Sequence, residues 1–266
     1  MKGKFYSNSK LNTFEQCRLK YKFRYIDKIK PEIEQTIEMH LGKMVHNTLE
    51  WVYLRVREGT IPTLDEVIEY YALDWKETYK PEFVIVNDSM NAKDYLEKGV
   101  EYLINYYTKH QPFDDNTLDV EKRIIFNLDQ DGKYKILGFI DRLVYNLEKS
   151  QYEVHDYKTS ASMPRQEDID NDRQLAFYSI AIKEEQGYEE EVILVWHYLA
   201  HNKKIDSTRT NTQLEQLKKE TLDLIREIEN TIEFPPTKSR LCDWCEYKDI
   251  CPAWNNKPKR EMQGTL

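Results

Sequence analysis

Two aspartates and a lysine in the stretch LGFIDRLVYNLEKSQYEVHDYKT, residues 137–159, have the types and spacing for metal-assisted chemistry on a phosphodiester. Asp156 and Lys158 stand two residues apart, so on a strand they share one face, and Asp141 on a neighbouring strand can converge with them. Mg²⁺ or Mn²⁺ takes oxygen ligands, commonly one or two carboxylates with waters and substrate phosphate; bound there, it polarises a phosphoryl oxygen and lowers the pKa of its water. The Lys158 ammonium would supply what a carboxylate cannot: orientation of the attacking water, or stabilisation of charge developing on the phosphoryl group. An acid–x–lysine triplet is also commonplace as a solvated pair on an exposed strand. Here GFID and YEVHDYK place the charges among apolar residues, where a strand is ordinarily buried, and burial of paired acids without a cation is costly.

The elements that must hold these residues are readable from periodicity. Residues 117–129 predict a strand, the Asp-Gly signal within 130–133 a turn, residues 134–146 a second strand, and YEVHDYKT a third after a turn at 148–151. This is an antiparallel meander carrying Glu121, Asp141 and the Asp156/Lys158 pair in order. A helix is expected over 165–187, stopped by Gly187, with Gln174 and Tyr178 one turn apart on one face. Because that helix precedes the strand EVILVWHYLA (191–200), the third strand and this one are expected to pair in parallel. The chain then turns through 201–204 into IDSTRT, and a long helix runs from Asn211 to about Ile232.

Upstream, SNSKLNTFEQCRLKYKFRYIDKI predicts a short helix bringing Cys17 close to Arg18, Lys20, Lys22 and Arg24; a solvated basic face is the plain reading. A helix over Ile33–Arg57 carries the stripe Leu41, Val45, Leu49, Val52 and Val56, with His46 beside it. By itself such a histidine is more often packed or solvated than a ligand. Helical patterns over Thr63–Lys80 and Met90–His110, ended near Pro112, form a helical subdomain at 60–112 within a single domain spanning 1–266.

Bulk properties set limits. With 40% hydrophobic and 32% charged residues and 19 tyrosines, the chain is globular rather than disordered. No apolar run approaches the roughly 20 residues of a membrane span, and MKGKFYSNSK lacks a signal-peptide core, so a cytoplasmic protein is expected, in a bacterium or in a phage-infected host. A net charge of −8 excludes a bulk polycation; contact with DNA requires a local basic groove or divalent cations. Four cysteines, Cys17 and the C-x2-C-x5-C trio Cys242, Cys245 and Cys251, point in a reducing compartment to metal ligation rather than disulfides. Four thiolates can hold an iron–sulfur cluster or zinc, and spacing alone does not choose.

Taken in order, LNTFEQCRLKYKF, LGKMVHNTLE, GFIDRL, HDYKTS, RQLAFY and the CDWC…C tail resemble the PD-(D/E)XK nucleases of the RecB kind, including stand-alone phage exonucleases and the nuclease domains of AddB and Cas4. The resemblance runs from about residue 7 to 252, with little contribution from 60–112. It implies a restriction-endonuclease-like α/β core, a mixed central sheet flanked by helices. It implies that His46, Asp141 and Asp156 bind Mg²⁺ or Mn²⁺, with the Tyr157 carbonyl as a further ligand and Lys158 as the catalytic lysine. Gln174 and Tyr178 match a Q-x3-Y motif that positions DNA, and Glu121 corresponds approximately to an outer-sphere or second-metal acid. Cas4 proteins usually carry glutamate where Asp156 stands, so the chain is more similar to RecB and AddB. The cysteines resemble a [4Fe–4S] staple joining residue 17 to the 235–254 region, favoured over zinc. The implied activity is DNA cleavage, as an exonuclease on single-stranded or free ends. With no G-x4-G-K-[ST] sequence present, unwinding would fall to a helicase or recombination partner. The alternatives are a non-catalytic DNA-binding or assembly subunit that keeps the cluster, and a Cas4-like enzyme of CRISPR adaptation.

Overall fold

A computed structural model describes residues 3–31, 35–85, 87 and 89–254. Its centre is a mixed six-stranded sheet: β1 (Lys4–Tyr6), β2 (Thr117–Asn127), β3 (Tyr134–Asn146), β4 (Gln151–Lys158), β5 (Ile193–Tyr198) and β6 (Lys203–Ser207). The path is β1-β3-β4-β5-β6, with β2 also on β3. The expected meander forms, β2–β3 and β3–β4 being antiparallel, and β4 and β5 pair in parallel from Glu153↔Ile193 to Lys158↔Tyr198.

Helices cover the sheet in two groups, each with its own apolar cluster. One cluster joins Ile124, Phe126, Ile136, Ile140 and Val154 to α7 (Arg173–Gln186) and α8 (Asn211–Asn230). The other is built by α3 (Ile37–Arg57), α4 (Leu64–Thr78) and α5 (Ala92–His110), and takes in Val120, Tyr157 and Leu199. Local chemistry fixes the ends of these helices. Thr63 with Glu66, and Asn91 with Asp94, form capping boxes that satisfy otherwise unpaired N–H groups at the starts of α4 and α5.

Several boundaries differ from expectation. The N-terminal segment is β1, α1 (Asn8–Gln16) and α2 (Arg18–Tyr21), continued by a π-helical turn over Lys22–Ile26. Cys17 breaks the helix because its backbone is extended, at φ −161 and ψ 111. α3 begins at Ile37, capped by the Thr36 hydroxyl, and residue 33, where the helix was expected to start, lies outside the described residues. The helix expected over 165–187 is two, α6 (Gln166–Asp170) and α7, separated where the Asp172 carboxylate accepts from the Leu175 N–H. α8 stops at Asn230, leaving Ile232 91% exposed.

Candidate active site

The candidate site is a fork in the sheet. β1 and β4 share one edge of β3, but β1 pairs only up to Ile136 and β4 only from Arg142, so among the described residues the β3 backbone between them has no strand neighbour on that edge. β4 meanwhile continues along β5 to Lys158, away from β3. A side chain replaces the missing ladder: the Tyr157 N–H donates to Asp141 Oδ2 at 2.8 Å. Gly138 lies within the gap, and a Cβ there would come 2.6 Å from the Tyr178 ring, so the glycine makes room for that tyrosine.

The strand alternation breaks where the acids stand. Ile124 and Ile140 belong to the α7–α8 cluster, whereas Val120 joins the α3–α5 cluster and Arg142 packs on Tyr53 of α3. Since Val120 pairs with Arg142 and Lys122 with Ile140, the change of face falls on the opposed residues Glu121 and Asp141. Glu121 adopts φ 45, in the left-handed region that costs a non-glycine residue of order 1–3 kcal/mol and is typical of functional sites.

His46 reaches the fork from α3. Its Nε2 lies 2.8 Å from the Tyr157 carbonyl, which can only accept, so Nε2 carries a hydrogen and Nδ1, 3.4 Å from Asp141 Oδ2, is the nitrogen with which the ring could ligate a cation. His46, Glu121 and Asp141 each offer a ligand atom, all within 4.8 Å of one another. An imidazole nitrogen with two carboxylates, and the second imidazole nitrogen fixed by a carbonyl, is a donor set suited to a divalent cation. The Tyr157 carbonyl, expected among the ligands, is here the hydrogen-bond partner of His46.

Asp156 stands beside this trio, only 2% exposed. Its Oδ1 accepts from Gln174 Nε2 at 3.2 Å. Its Oδ2 lies 2.7 Å from Lys158 Nζ as an ion pair but, among the described residues, receives no well-directed hydrogen bond. Gln174 ties the group together, accepting from Lys158 Nζ at 3.3 Å and donating to the Tyr178 hydroxyl at 3.1 Å. All the predicted site residues other than the cysteines therefore meet at the fork.

Charge is crowded there. Burial, then the Asp156 charge, push Asp141 well above the usual carboxylate range, against the Tyr157 N–H and Lys158. Burial, then Asp141 and Glu50, raise Glu121 to about 7. Burial pulls the Lys158 ammonium down, but Asp156 and Asp141 outweigh it and hold the group above its ordinary range. Burial and mutual repulsion thus oppose ionising these acids together, an opposition that an added cation would relieve, and Lys158 remains an ammonium at neutral pH.

Behind the fork lies a network that sequence reasoning did not find. Arg142 is 0% exposed, and its guanidinium is 4.1 Å from the Tyr53 ring centroid. It donates to the Tyr157 hydroxyl at 3.0 Å, to Thr117 at 3.2 Å and to Asp115, and meets His155 Nδ1 at 2.9 Å. His155 also contacts His197 at 2.8 Å and Glu153 at 3.1 Å. Burial, followed by neighbouring positive charge, holds both histidines well below the usual imidazole range, so Arg142 is the cation of this network. Tyr157 connects the two systems: its ring side is held by Arg142, while its backbone serves Asp141 and His46. The only signal in the sequence was an arginine following Asp141 inside an apolar run.

The four cysteines line one cavity where the chain ends meet. Lys20 pairs with Glu246 at 2.7 Å, and the Tyr247 hydroxyl donates to the Ile29 carbonyl at 3.0 Å. Backbone N–H groups of Thr237 and Ser239 point at Cys17 Sγ and Cys242 Sγ, each at 3.4 Å. The Ser239 N–H lowers the Cys242 thiol, while burial raises that of Cys245.

The sequence pattern of the PD-(D/E)XK nuclease superfamily matches residues 6–252. No curated protein matches the sequence. Among solved structures, a Eubacterium rectale protein described as a "putative exonuclease" superposes with TM-score 0.53 at 12% identity, covering 98% of this chain and 90% of that one; the likeness is one of fold. A second, SSO0001, gives TM-score 0.37 at 18% identity over 82% of this chain and 98% of that one.

Proposed function

From the premise that this chain belongs to the PD-(D/E)XK nuclease superfamily, we propose that it is a Mg²⁺- or Mn²⁺-dependent deoxyribonuclease acting exonucleolytically on single-stranded DNA ends. The carrying observation is the convergence of His46, Glu121 and Asp141, drawn from three elements, beside the Asp156–Lys158–Gln174 group. The three converging donors and the mutually repelling carboxylates fit a divalent cation, held by His46 Nδ1, Asp141 and Glu121 with the Asp156–Lys158 pair adjoining. Such an ion supplies a polarised phosphoryl oxygen and a water of lowered pKa. Lys158, kept charged by its acidic neighbours, donates towards the phosphate as oxygen–phosphorus bonding changes, rather than acting as a base. Gln174 holds that lysine and Asp156 in register, and Tyr178 steadies Gln174.

The exonuclease reading is supported by the description of the fold relative from Eubacterium rectale and is tested on 5′- and 3′-labelled linear and circular DNA with added Mn²⁺. Linear strands are expected to shorten from an end while circles persist. Cutting of circles would make the enzyme an endonuclease, and intact linear DNA would defeat the nuclease reading.

The cysteine cavity is proposed to hold a [4Fe–4S] cluster. Four thiols around one cavity, two of them receiving backbone N–H groups, fit a thiolate-bound centre, and the contacts of Lys20 and Tyr247 already bring the two chain ends together. Anaerobic purification should yield brown protein with broad visible absorption; a colourless protein with one zinc would reassign the site.

A further inference from the structure

Among the described residues, one face of the sheet is left uncovered next to the fork. Along β2, buried Ile124 and Phe126 alternate with exposed Arg123, Ile125 and Asn127. The register places Arg123 opposite Phe139, Ile125 opposite Leu137 and Asn127 opposite Lys135, while Phe5 of β1 adjoins Lys135. Directly paired residues share a face, and the inward partners of these positions all belong to the α7–α8 core, so this row faces the other way. Phe5, Ile125 and Phe139 remain 46%, 41% and 47% exposed.

Exposed aromatics clustered on a sheet are unfavourable for a free surface and mark a contact site. Two further properties identify the occupant. The charged residues in the row, Arg123 and Lys135, are both cationic, and neither forms an ion pair among the described residues. Phe139 is two residues before Asp141 on β3, so the row runs directly to the fork. We propose that this face is a binding track for single-stranded nucleic acid, with a base stacked on Phe139 and the backbone phosphates met by Arg123 and Lys135. The track rests on the nuclease reading and names how its substrate approaches. Aromatics displayed on an open sheet stack unpaired bases without regard to sequence, whereas a duplex hides the base faces. The overall charge of −8 does not oppose it, because the row is locally basic.

The test measures binding of labelled oligothymidylate of about 20 nucleotides by full-length protein in chelator, where no cleavage occurs. Phe139→Ala should weaken binding about tenfold, Phe139→Tyr should restore it, and Arg123→Gln should flatten the dependence of log affinity on log salt by about 0.7. Affinity for blunt duplex should not change. The track is overturned by a folded Phe139→Ala protein that binds the oligonucleotide as the wild type does. It is equally overturned if sedimentation shows a wild-type dimer that Phe139→Ala dissociates with oligonucleotide affinity retained, since the face then joins two copies. Failure is distinguishable from failure of the nuclease reading: wild-type protein that binds the strand through Phe139 yet cuts nothing in Mg²⁺ or Mn²⁺ sinks only the latter.

Discussion

The two faces of the β3–β4 fork both bury charge, and they treat it in opposite ways. Around Arg142 the charge is hydrogen-bonded, with Asp115, Thr117, Tyr157 and His155 about one guanidinium and the flanking histidines kept neutral. Around Asp141 the charges are mismatched: three acids, Glu121, Asp141 and Asp156, repel one another about a single lysine, and Glu121 sits in a strained backbone conformation. A satisfied network stabilises one arrangement of the chain; an unsatisfied one is poised for something that is not protein. Tyr157 belongs to both, its hydroxyl bound by Arg142 and its backbone by Asp141 and His46.

The contrast can be broken most severely at Arg142. Arg142→Met leaves the buried partners of the guanidinium unmatched and should cost about 3–5 kcal/mol in urea unfolding; an unchanged midpoint would mean that the network contributes no stability. Asp141→Asn should do the reverse. It relieves repulsion while an amide oxygen still accepts from Tyr157, so the metal-free midpoint should hold or rise while cleavage falls about 10²–10³-fold. Tyr157→Phe sharpens the link between the faces: the loss should be about 1 kcal/mol of stability, together with a rise of about tenfold in the Mn²⁺ concentration required for half-maximal cleavage. A stability loss with no change in metal requirement would uncouple the two.

The smallest effect concerns Glu121. An acid raised to about 7 holds its proton more tightly in the folded chain than in the unfolded one, where its pKa is about 4.3. Its contribution is therefore full below about pH 4.3 and is lost as pH rises through about 7. Thermal unfolding in chelator should show the wild type losing stability relative to Glu121→Gln between pH 5 and 8, and added Mn²⁺ should reverse the trend. Parallel pH curves for the two proteins would refute the shift.

Much of the fork was legible beforehand for local reasons. The alternation of YEVHDYK orders the residues of β4, the turn signals at 130–133 and 148–151 fix its neighbours, and the i,i+4 spacing of Gln174 and Tyr178 survives because α7 is one continuous helix. Other features were hidden because no local pattern encodes them. Lys4–Tyr6 is too short to announce a strand and exists because β3 offers it an edge. The break at Cys17 opposes a helical pattern on both sides of it and coincides with the meeting of the two chain ends. Arg142 could not be assigned a side, because strict alternation predicts the face opposite to Asp141 without revealing that the alternation itself fails there.

By itself, then, the sequence determined the β2–β3–β4 meander, most of the helices and their order, and the chemistry available: carboxylates, a lysine, a histidine and four thiols in segments of definite period. These follow from short-range sterics, hydrogen bonding and hydrophobic alternation, which act over a few residues. Only the tertiary structure decided that β3 would part from β4, that Glu121 and Asp141 would mark a change of face, and that His46 would reach a carbonyl 111 residues away. Those outcomes depend on two packed cores competing for the same strands, and such a competition exists only when the chain is folded.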